Sequence, residues 1–387
     1  MKKHILYIVM LTLAMTACES DDTDFSGTDF SNYYLRSQSG DDDSDDVVNT
    51  IYIAYSGTSA TVSGDNYGYV TISGADVTVD TGTDTDSLLL VLSGSTTDGS
   101  LLVYREKKFG IKLNGVTIHN EDGPAINNQC GKSLYLEVAA GTTNTLTDGT
   151  TYTEQSYQQK GTFFSEGQTY FTGSGTLNVT GNAVNAIACD DYIVVGGSVN
   201  VSASTATGHG IKVNDGFWMD GGTVTVNVTG DACKGLSNDS ITVINGGALT
   251  ITTSGDCVYD DTEADYSSAA CIKSDYRFTM TGGTVTLTSS GDGGKGINCD
   301  EDVVFSGGTL VVTTTGSNDD AKPKGVKADT GITVSGGTFS VTVNKSWACD
   351  NGYESADEAD QAAHCVTVVG SPTTQTLAKK KVYVSYE

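Results

Sequence analysis

One polar, glycine-rich sentence recurs along the chain. Residues 230–256 read GDACKGLSNDSITVINGGALTITTSGD, and residues 290–317 read SGDGGKGINCDEDVVFSGGTLVVTTTGS. Alignment on the glycine pairs gives Gly196-Gly197-SVNV, Gly221-Gly222-TVTV, Gly246-Gly247-ALTI, Gly282-Gly283-TVTL, Gly307-Gly308-TLVV and Gly336-Gly337-TFSV, with Ser174-Gly175-TLNV before them. Successive second positions lie 22, 25, 25, 36, 25 and 29 residues apart, a base period near 25 with two longer members that carry insertions. Between the glycine pairs runs a second motif: GIKVND at 210–215, GLSND at 235–239, CIKSD at 271–275, GINCD at 296–300 and GVKAD at 325–329. A third apolar-alternating stretch follows it, as in SITVI at 240–244. Three short strands of period-2 alternation in 25 residues, with no helical pattern, specify an all-β solenoid, the parallel β-helix. A propeller needs blades of about 40 residues or more with tight hairpins, and fits worse. Residues 50–160 follow the pattern more loosely and are expected to form the first coils, so 49–387 reads as one domain.

Stacking turns equivalent residues into ladders about 4.8 Å apart. Val224, Val226 and Val228 should point inward, and Thr223 and Thr225 outward. Asp190, Asn214, Asp239, Asp275, Asp300 and Asp329 fall at one outer position, three places after the apolar residue of the second motif. A second acidic position precedes it at Asp231, Asp256 and Asp292. Lys234, Lys295 and Lys324 stand between the two, with Lys212, Lys273 and Lys327 on the adjoining strand. Stacked like charges repel, so such rows need cations between them. The lysines can supply that, and so can calcium, which favours clustered carboxylates in polar loops. A single Asp at a turn can equally well bond backbone amides.

The chain has 21 Lys and Arg against 48 Asp and Glu, a formal charge of −27, which disfavours nucleic acid as a partner. MKKHILYIVMLTLAMTACES reads as an export signal, with two lysines, an apolar run too short to span a bilayer, and small residues before a cysteine. Met15-Thr16-Ala17-Cys18 resembles a bacterial lipobox. Cleavage of residues 1–17 and lipidation of Cys18 would place the protein on the outer membrane, facing the exterior, with a charge of −29 after loss of Lys2 and Lys3. Residues 18–48, with DDDSDD at 41–46, carry little apolar matter and are expected to act as an acidic tether. A monomer is expected.

The ordered series SLLLVLSG (87–94), GIKLNGVTIHNEDGPAI (110–126), TNTLTDGTTY (143–152), GSGTLNVTG (173–181) and the coils after it resembles the carbohydrate-binding, pectate-lyase-like right-handed β-helix family over about residues 50–345. The resemblance implies binding of plant cell-wall polysaccharide, polygalacturonate and cellulose, with calcium on the β-helix. It carries over no catalytic residue. The segment after Trp347 departs from the pattern.

Candidate site residues follow. The aspartates of both ladders (Asp190, Asp239, Asp275, Asp300, Asp329, Asp231, Asp256, Asp292) are candidate calcium ligands. Calcium would also bridge an acidic protein to a uronate polymer. Lys212, Lys273 and Lys327 are candidate uronate contacts. Trp218, outward by alternation from Met219, is a candidate for stacking on a sugar ring, in a column with Ile193, Val243, Thr279, Val304 and Thr333. No ladder of outward aromatics is expected beside it. Two acidic inserts are bracketed by cysteines, Cys257 to Cys271 and Cys349 to Cys365, so two disulfides are expected in an exported protein. Their acids (Asp260, Asp261, Glu263, Asp265; Glu354, Asp357, Glu358, Asp360) lack the EF-hand spacing but could gather a cation. Cys189 and Cys299 read as packed thiols in one inward column. Elimination from a uronate would need a base, and Arg277 beside Asp275 is the one arrangement of that kind. A binding module is favoured over a calcium-dependent polysaccharide lyase, with an adhesin or structural rod third.

Overall fold

The computed structural model describes residues 48–84 and 86–387. The export signal and almost all of the expected tether lie outside them. The chain winds about 11 turns of a parallel β-helix, 55% strand and 2% helix. In one representative coil, Lys234–Asn238 lies on what we call the third face, Ile241–Ile244 on the first and Ala248–Thr253 on the second. Each pairs in parallel with its equivalent in the next coil: Ala270–Ser274, Arg277–Met280 and Thr284–Ser289. The next coils add Lys295–Cys299, Asp302–Phe305 and Thr309–Thr314, then Lys324–Ala328, Gly331–Val334 and Thr338–Val343.

The glycines explain why this sequence closes into coils. The second member of every Gly-Gly pair, from Gly197 through Gly222, Gly247, Gly283, Gly308 and Gly337, has φ between 66° and 82°, left-handed backbone that a residue with a Cβ resists. A different glycine opens the third-face strands. A Cβ on Gly296 would lie 2.2 Å from Val312 Cγ1, and one on Gly325 2.1 Å from Val341 Cγ1, so the second face packs where that side chain would be.

Alternation fills the interior as expected. Val224, Val226 and Val228 are buried while Thr223 and Thr225 are exposed. Phe217, Phe278, Phe305 and Phe339 are fully enclosed in one continuous core. Each such side chain contributes roughly 1.5–3 kcal/mol. Cys189 and Cys299 share an inward column and are buried in it.

Both ends are capped, which hides the open edges a stack of strands would present. Ser59–Ser63 folds back antiparallel on Asn49–Gly57. Beyond Trp347 the chain forms a short helix, Glu358–His364, capped by Asp357, which accepts from the Ala359 and Asp360 amides. It then makes a hairpin, Thr374–Ala378 with Lys381–Ser385, whose second strand pairs antiparallel with Thr338–Val343.

Two expectations need correction. Neither disulfide is formed, and all eight described cysteines are free thiols. Cys271 turns inward and donates to the Ile251 carbonyl, whereas Cys257 Sγ accepts from Asn318 Nδ2 on a neighbouring loop, so the two diverge. Cys349 and Cys365 are both buried, and burial raises both thiol pKa values, Cys365 to about 11. In the column assigned to Trp218, Val243, Thr279, Val304 and Thr333 are in place and only Ile193 is off by one. Ile193 pairs with the inward Phe217, and Val194 with Trp218. Four residues join Val195 to Asn200, but only three join Met219 to Thr223, so aligning the glycine pairs shifts the first face by one.

Candidate functional site

The expected aspartate ladders exist, but most of their carboxylates are committed within the rod. At the outer position Lys160 binds both oxygens of Asp190, at 2.7 and 2.6 Å. Asp190 also accepts from Asn214 Nδ2. Lys212 pairs with Asp239, Lys273 bridges Asp275 and Asp300, and Lys327 pairs with Asp329. At the other position the carboxylates accept backbone amides from the coil above: Asp231 from Asp256 N, Asp256 from Asp292 N, and Asp292 from Ser317 N, at 2.7–2.8 Å. Among the described residues no three His, Cys, Asp or Glu side chains gather as a metal site. The ladders as they stand do not fit a protein-only calcium site. Lysines neutralise one row and amides satisfy the other.

The insert acids follow the same pattern. Asp260 accepts from Thr262 N at 2.8 Å and from its hydroxyl, which lowers its pKa. Asp360 is bound by the Tyr353 hydroxyl at 2.6 Å, and Glu358 by Lys379. Arg277 is tied to Asp302 at 2.7 Å and does not line the groove described next.

Where the third face meets the C-terminal cap, the coils do not fill the space. A groove of about 1170 Å³ opens there. Its floor is the outward row of the last strands: Lys295 and Asn298, then Lys324 and Lys327, then Asp350. Its walls are inserts: Asp265 and Tyr266 of the hairpin Val258–Asp260/Asp265–Ser267, the loop 318–322, Lys345 to Trp347, Tyr353 to Ala356, and Lys379 with Lys380. Lys295, Lys322, Lys324, Lys327, Lys345, Lys379 and Lys380 face Asp265, Asp319, Asp320, Asp350 and Glu354. In a chain of charge −27, this groove therefore holds more cations than anions.

These lysines differ in how firmly they are held. Lys324 is deeply set and pairs with Asp350 at 2.7 Å. Burial pushes the Asp350 carboxyl up, but the Lys324 hydrogen bond and charge outweigh it and leave the pKa lowered. Lys345 pairs with the exposed Asp319 at 2.9 Å. Lys379 lies 5.2 Å above the Trp347 ring, which orders an aromatic face at the groove wall. Lys295 has no carboxylate in ion-pair range among the described residues and donates to Ser268 Oγ. Burial, with Lys327 close by, pulls its pKa down to about 8. Beside it the Asn298 Oδ1 is a buried acceptor with no protein donor, which suits a sugar hydroxyl. Lys322 and Ser346 on the walls are two of four described non-glycine residues with positive φ, at 47° and 67°. Such backbone concentrates at binding sites.

Of the expected glycan contacts, only Lys327 lines this groove. Lys212 and Lys273 sit lower on the same face, engaged by ladder acids. Trp218 points outward as expected, but on the first face and in company. Tyr135 and Tyr170 stack at 4.9 Å, Tyr192 contacts Tyr170 edge-on, and Trp218 contacts Tyr192 edge-on at 5.5 Å. The expectation of no outward aromatic ladder is thus overturned. Trp347, Asn298, Lys345 and Lys379 fall outside the sequence expectation, although the lysine run at 379–381 marks a local excess of cations.

About 11 coils with a lysine-rich groove on one flank make this a parallel β-helix protein. The family model described as "Carbohydrate-binding domain-containing protein" matches residues 73–269, 232–321 and 274–368, and the chain belongs to that family. A carbohydrate-binding domain-containing protein of Acetivibrio thermocellus is 28% identical over 148 residues, 37% of this chain and 50% of that protein. The chain thus spans half the length of that relative. Among solved structures, the polysaccharide lyase-like protein from C. thermocellum, as a gadolinium derivative, aligns with a TM-score of 0.53 and 22% identity over 66% of this chain and 97% of that one, a likeness of fold.

Proposed function

We propose that the protein binds an acidic, uronate-containing polysaccharide of the pectin type, with the polymer seated in the groove between the third face and the C-terminal cap. The observation that carries this reading is the charge inversion. Seven lysines of a strongly acidic chain converge on one groove with an ordered tryptophan and an unpartnered amide oxygen. Carboxylates pair with the lysines, hydroxyls with Asn298, and a ring face with Trp347. Calcium enters this proposal only as a bridge to which the polymer's carboxylates supply most of the oxygens. Lipidation at Cys18 would then present the groove outside the cell as a capture module.

The test is a titration of polygalacturonate into the protein, with calcium and again with EDTA, while absorbance is watched for unsaturated product. Saturable binding without growth of absorbance is the expected result. Weaker binding in EDTA supports the calcium bridge, and equal binding in both removes it. Binding of neutral glucan alone overturns the acidic specificity. A second reading, elimination, has one observation in its favour: the amine of Lys295, with its pKa near 8, lies in the groove, whereas Arg277 does not. Rising absorbance that Lys295→Met abolishes would establish it.

A further inference from the structure

We propose that Tyr266 is a second ring-stacking platform of the groove, and that it and Trp347 together select a ligand of several linked sugar residues lying along the rod axis. This inference rests on the reading of the groove as a polysaccharide site. The neighbouring coils pass from the second face to the third in five residues, 229–233 and 290–294, whereas between them the passage takes 254–269. The extra length is the hairpin Val258–Asp260/Asp265–Ser267, a two-stranded sheet of its own. Such a hairpin standing alone is marginal in water. This one is pinned at its base, where Lys234 donates to Ser267 Oγ and Lys295 to Ser268 Oγ. Its strands nevertheless carry apolar side chains into water: Val258 is 46% and Tyr259 47% exposed. Tyr259 stands opposite Tyr266, with the rings 5.0 Å apart and inclined at 66°. An edge-on pair leaves each ring a free face. Tyr266 is part-exposed and lines the groove, while Tyr259 props it from outside and is a positioning residue.

The two rings belong to one wall. The hairpin, the loop 318–322 and the segment from Lys345 to Trp347 all interrupt the same turn, between the second face and the third. Each holds one non-glycine residue in left-handed backbone: Ala264 at φ 53°, Lys322 at 47° and Ser346 at 67°. That conformation is costly and persists where its surroundings hold it. Tyr266 precedes the third-face strand Ala270–Ser274, and Trp347 precedes Cys349–Asp350. Those strands lie three pairing steps apart, through Lys295–Cys299 and Lys324–Ala328. The span is about 14 Å at roughly 4.8 Å per step. No single pyranose ring covers it. A ligand that touches both rings must run along the axis, over Lys295, Asn298, Lys324 and Lys327 on the floor between them. It then meets a ring face at either end and cations in the middle. Contact at one ring makes contact at the other intramolecular, so affinity should grow with chain length until both are reached.

The test is calorimetry of digalacturonate and hexagalacturonate on the full chain and its variants. Tyr266→Ala should weaken the hexamer about three- to tenfold, the range of an aromatic contact, and the dimer less than about twofold. Tyr266→Phe keeps the ring and should bind as the unsubstituted chain does. Tyr259→Ala should fall between, and Tyr259→Phe should show no loss. Because the hairpin pairs with no strand of the coils, the melting temperature should be the same in all four variants. Equal losses for dimer and hexamer would overturn the requirement for a chain that spans both rings. No loss for the hexamer, or a loss that Tyr266→Phe reproduces, would overturn the platform. A lower molecular mass of Tyr266→Ala in sedimentation would overturn it too, by assigning the exposed ring pair to contact between copies. If no galacturonate oligomer binds the unsubstituted chain, the acidic-polymer reading falls and this inference with it. Binding that ignores Tyr266 overturns the inference alone and leaves that reading standing.

Discussion

Two stretches of the third face carry the same lysine row and use it differently. Midway along the rod, Lys212 pairs with Asp239, and Lys273 is shared between Asp275 and Asp300. Near the C-terminal cap, the row continues as Asn298 and Lys327, with Lys295 and Lys324 beside it, and here inserts rise on both sides to make a groove. The repeat builds the row in both places. Only the inserts and the cap add walls, an aromatic ring and more cations than the local acids neutralise. In a solenoid, then, the coil supplies a scaffold of evenly spaced side chains, and a break in the repeat makes the site.

The largest expected effect separates the two stretches directly. Lys295→Met with Lys327→Met should weaken polygalacturonate binding about tenfold or more, since a charge-assisted hydrogen bond contributes about 1.5–3 kcal/mol. Lys212→Met with Lys273→Met should change it less than about twofold, because those side chains lie outside the groove. Equal losses from the two pairs, measured by calorimetry, would erase the distinction.

Stability and binding can be uncoupled along the same row. A Cβ on Gly235 would lie 2.2 Å from Ile251 Cγ2, much as one on Gly325 meets Val341. Both Gly235→Ala and Gly325→Ala should cost about 1–3 kcal/mol in denaturant unfolding through overpacking. Only Gly325→Ala, which sits between Lys324 and Lys327, should also weaken the glycan. Gly331→Ala, whose Cβ would meet nothing within 4 Å, should leave both unchanged.

Smaller still is the pH effect. Lys295 carries its charge below its pKa of about 8 and loses it above, so affinity for an anionic polymer should fall by a few-fold between pH 7 and 9. Stability should move the other way. The folded pKa lies below the ordinary lysine value, the unfolded chain binds more protons between about 8 and 10.5, and unfolding free energy from this group rises across that window. Lys295→Met should abolish both trends, and their survival would place the titration elsewhere. The smallest effect belongs to the mid-rod ladder. Asp239→Asn should shift stability by less than about 1 kcal/mol, as exposed pairs do.

The fold was legible because it is periodic. Gly-Gly pairs, Val-x-Val alternation and the GIK-type motif each mark a backbone position that stacking enforces, and the structure contains all three. The groove was legible only in part. Lys327 belongs to the repeat and was found, but Trp347, Lys345 and Lys379 lie beyond it, where no register relates them to the floor. Lys295 and Lys324 read in sequence as spacers between acids, because sequence alone does not tell which coil the inserts will wall. The aromatic cluster was missed for a local reason. Tyr135, Tyr170 and Tyr192 fall in early coils with uneven turns, and one extra residue between Val195 and Asn200 hides the column that ends at Trp218. The Cys257–Cys271 expectation failed because Cys271 is an inward rung of the repeat while Cys257 faces a neighbouring loop.

Trp347 stands in the groove and Trp218 on the other face, so each reports on one of them. The most direct measurement is tryptophan emission during titration with oligogalacturonate, in Trp218→Phe and Trp347→Phe proteins separately. The expected result is a saturable change from Trp347, sensitive to salt, and none from Trp218. A response from Trp218 with a silent Trp347 would contradict the assignment of the groove as the glycan site.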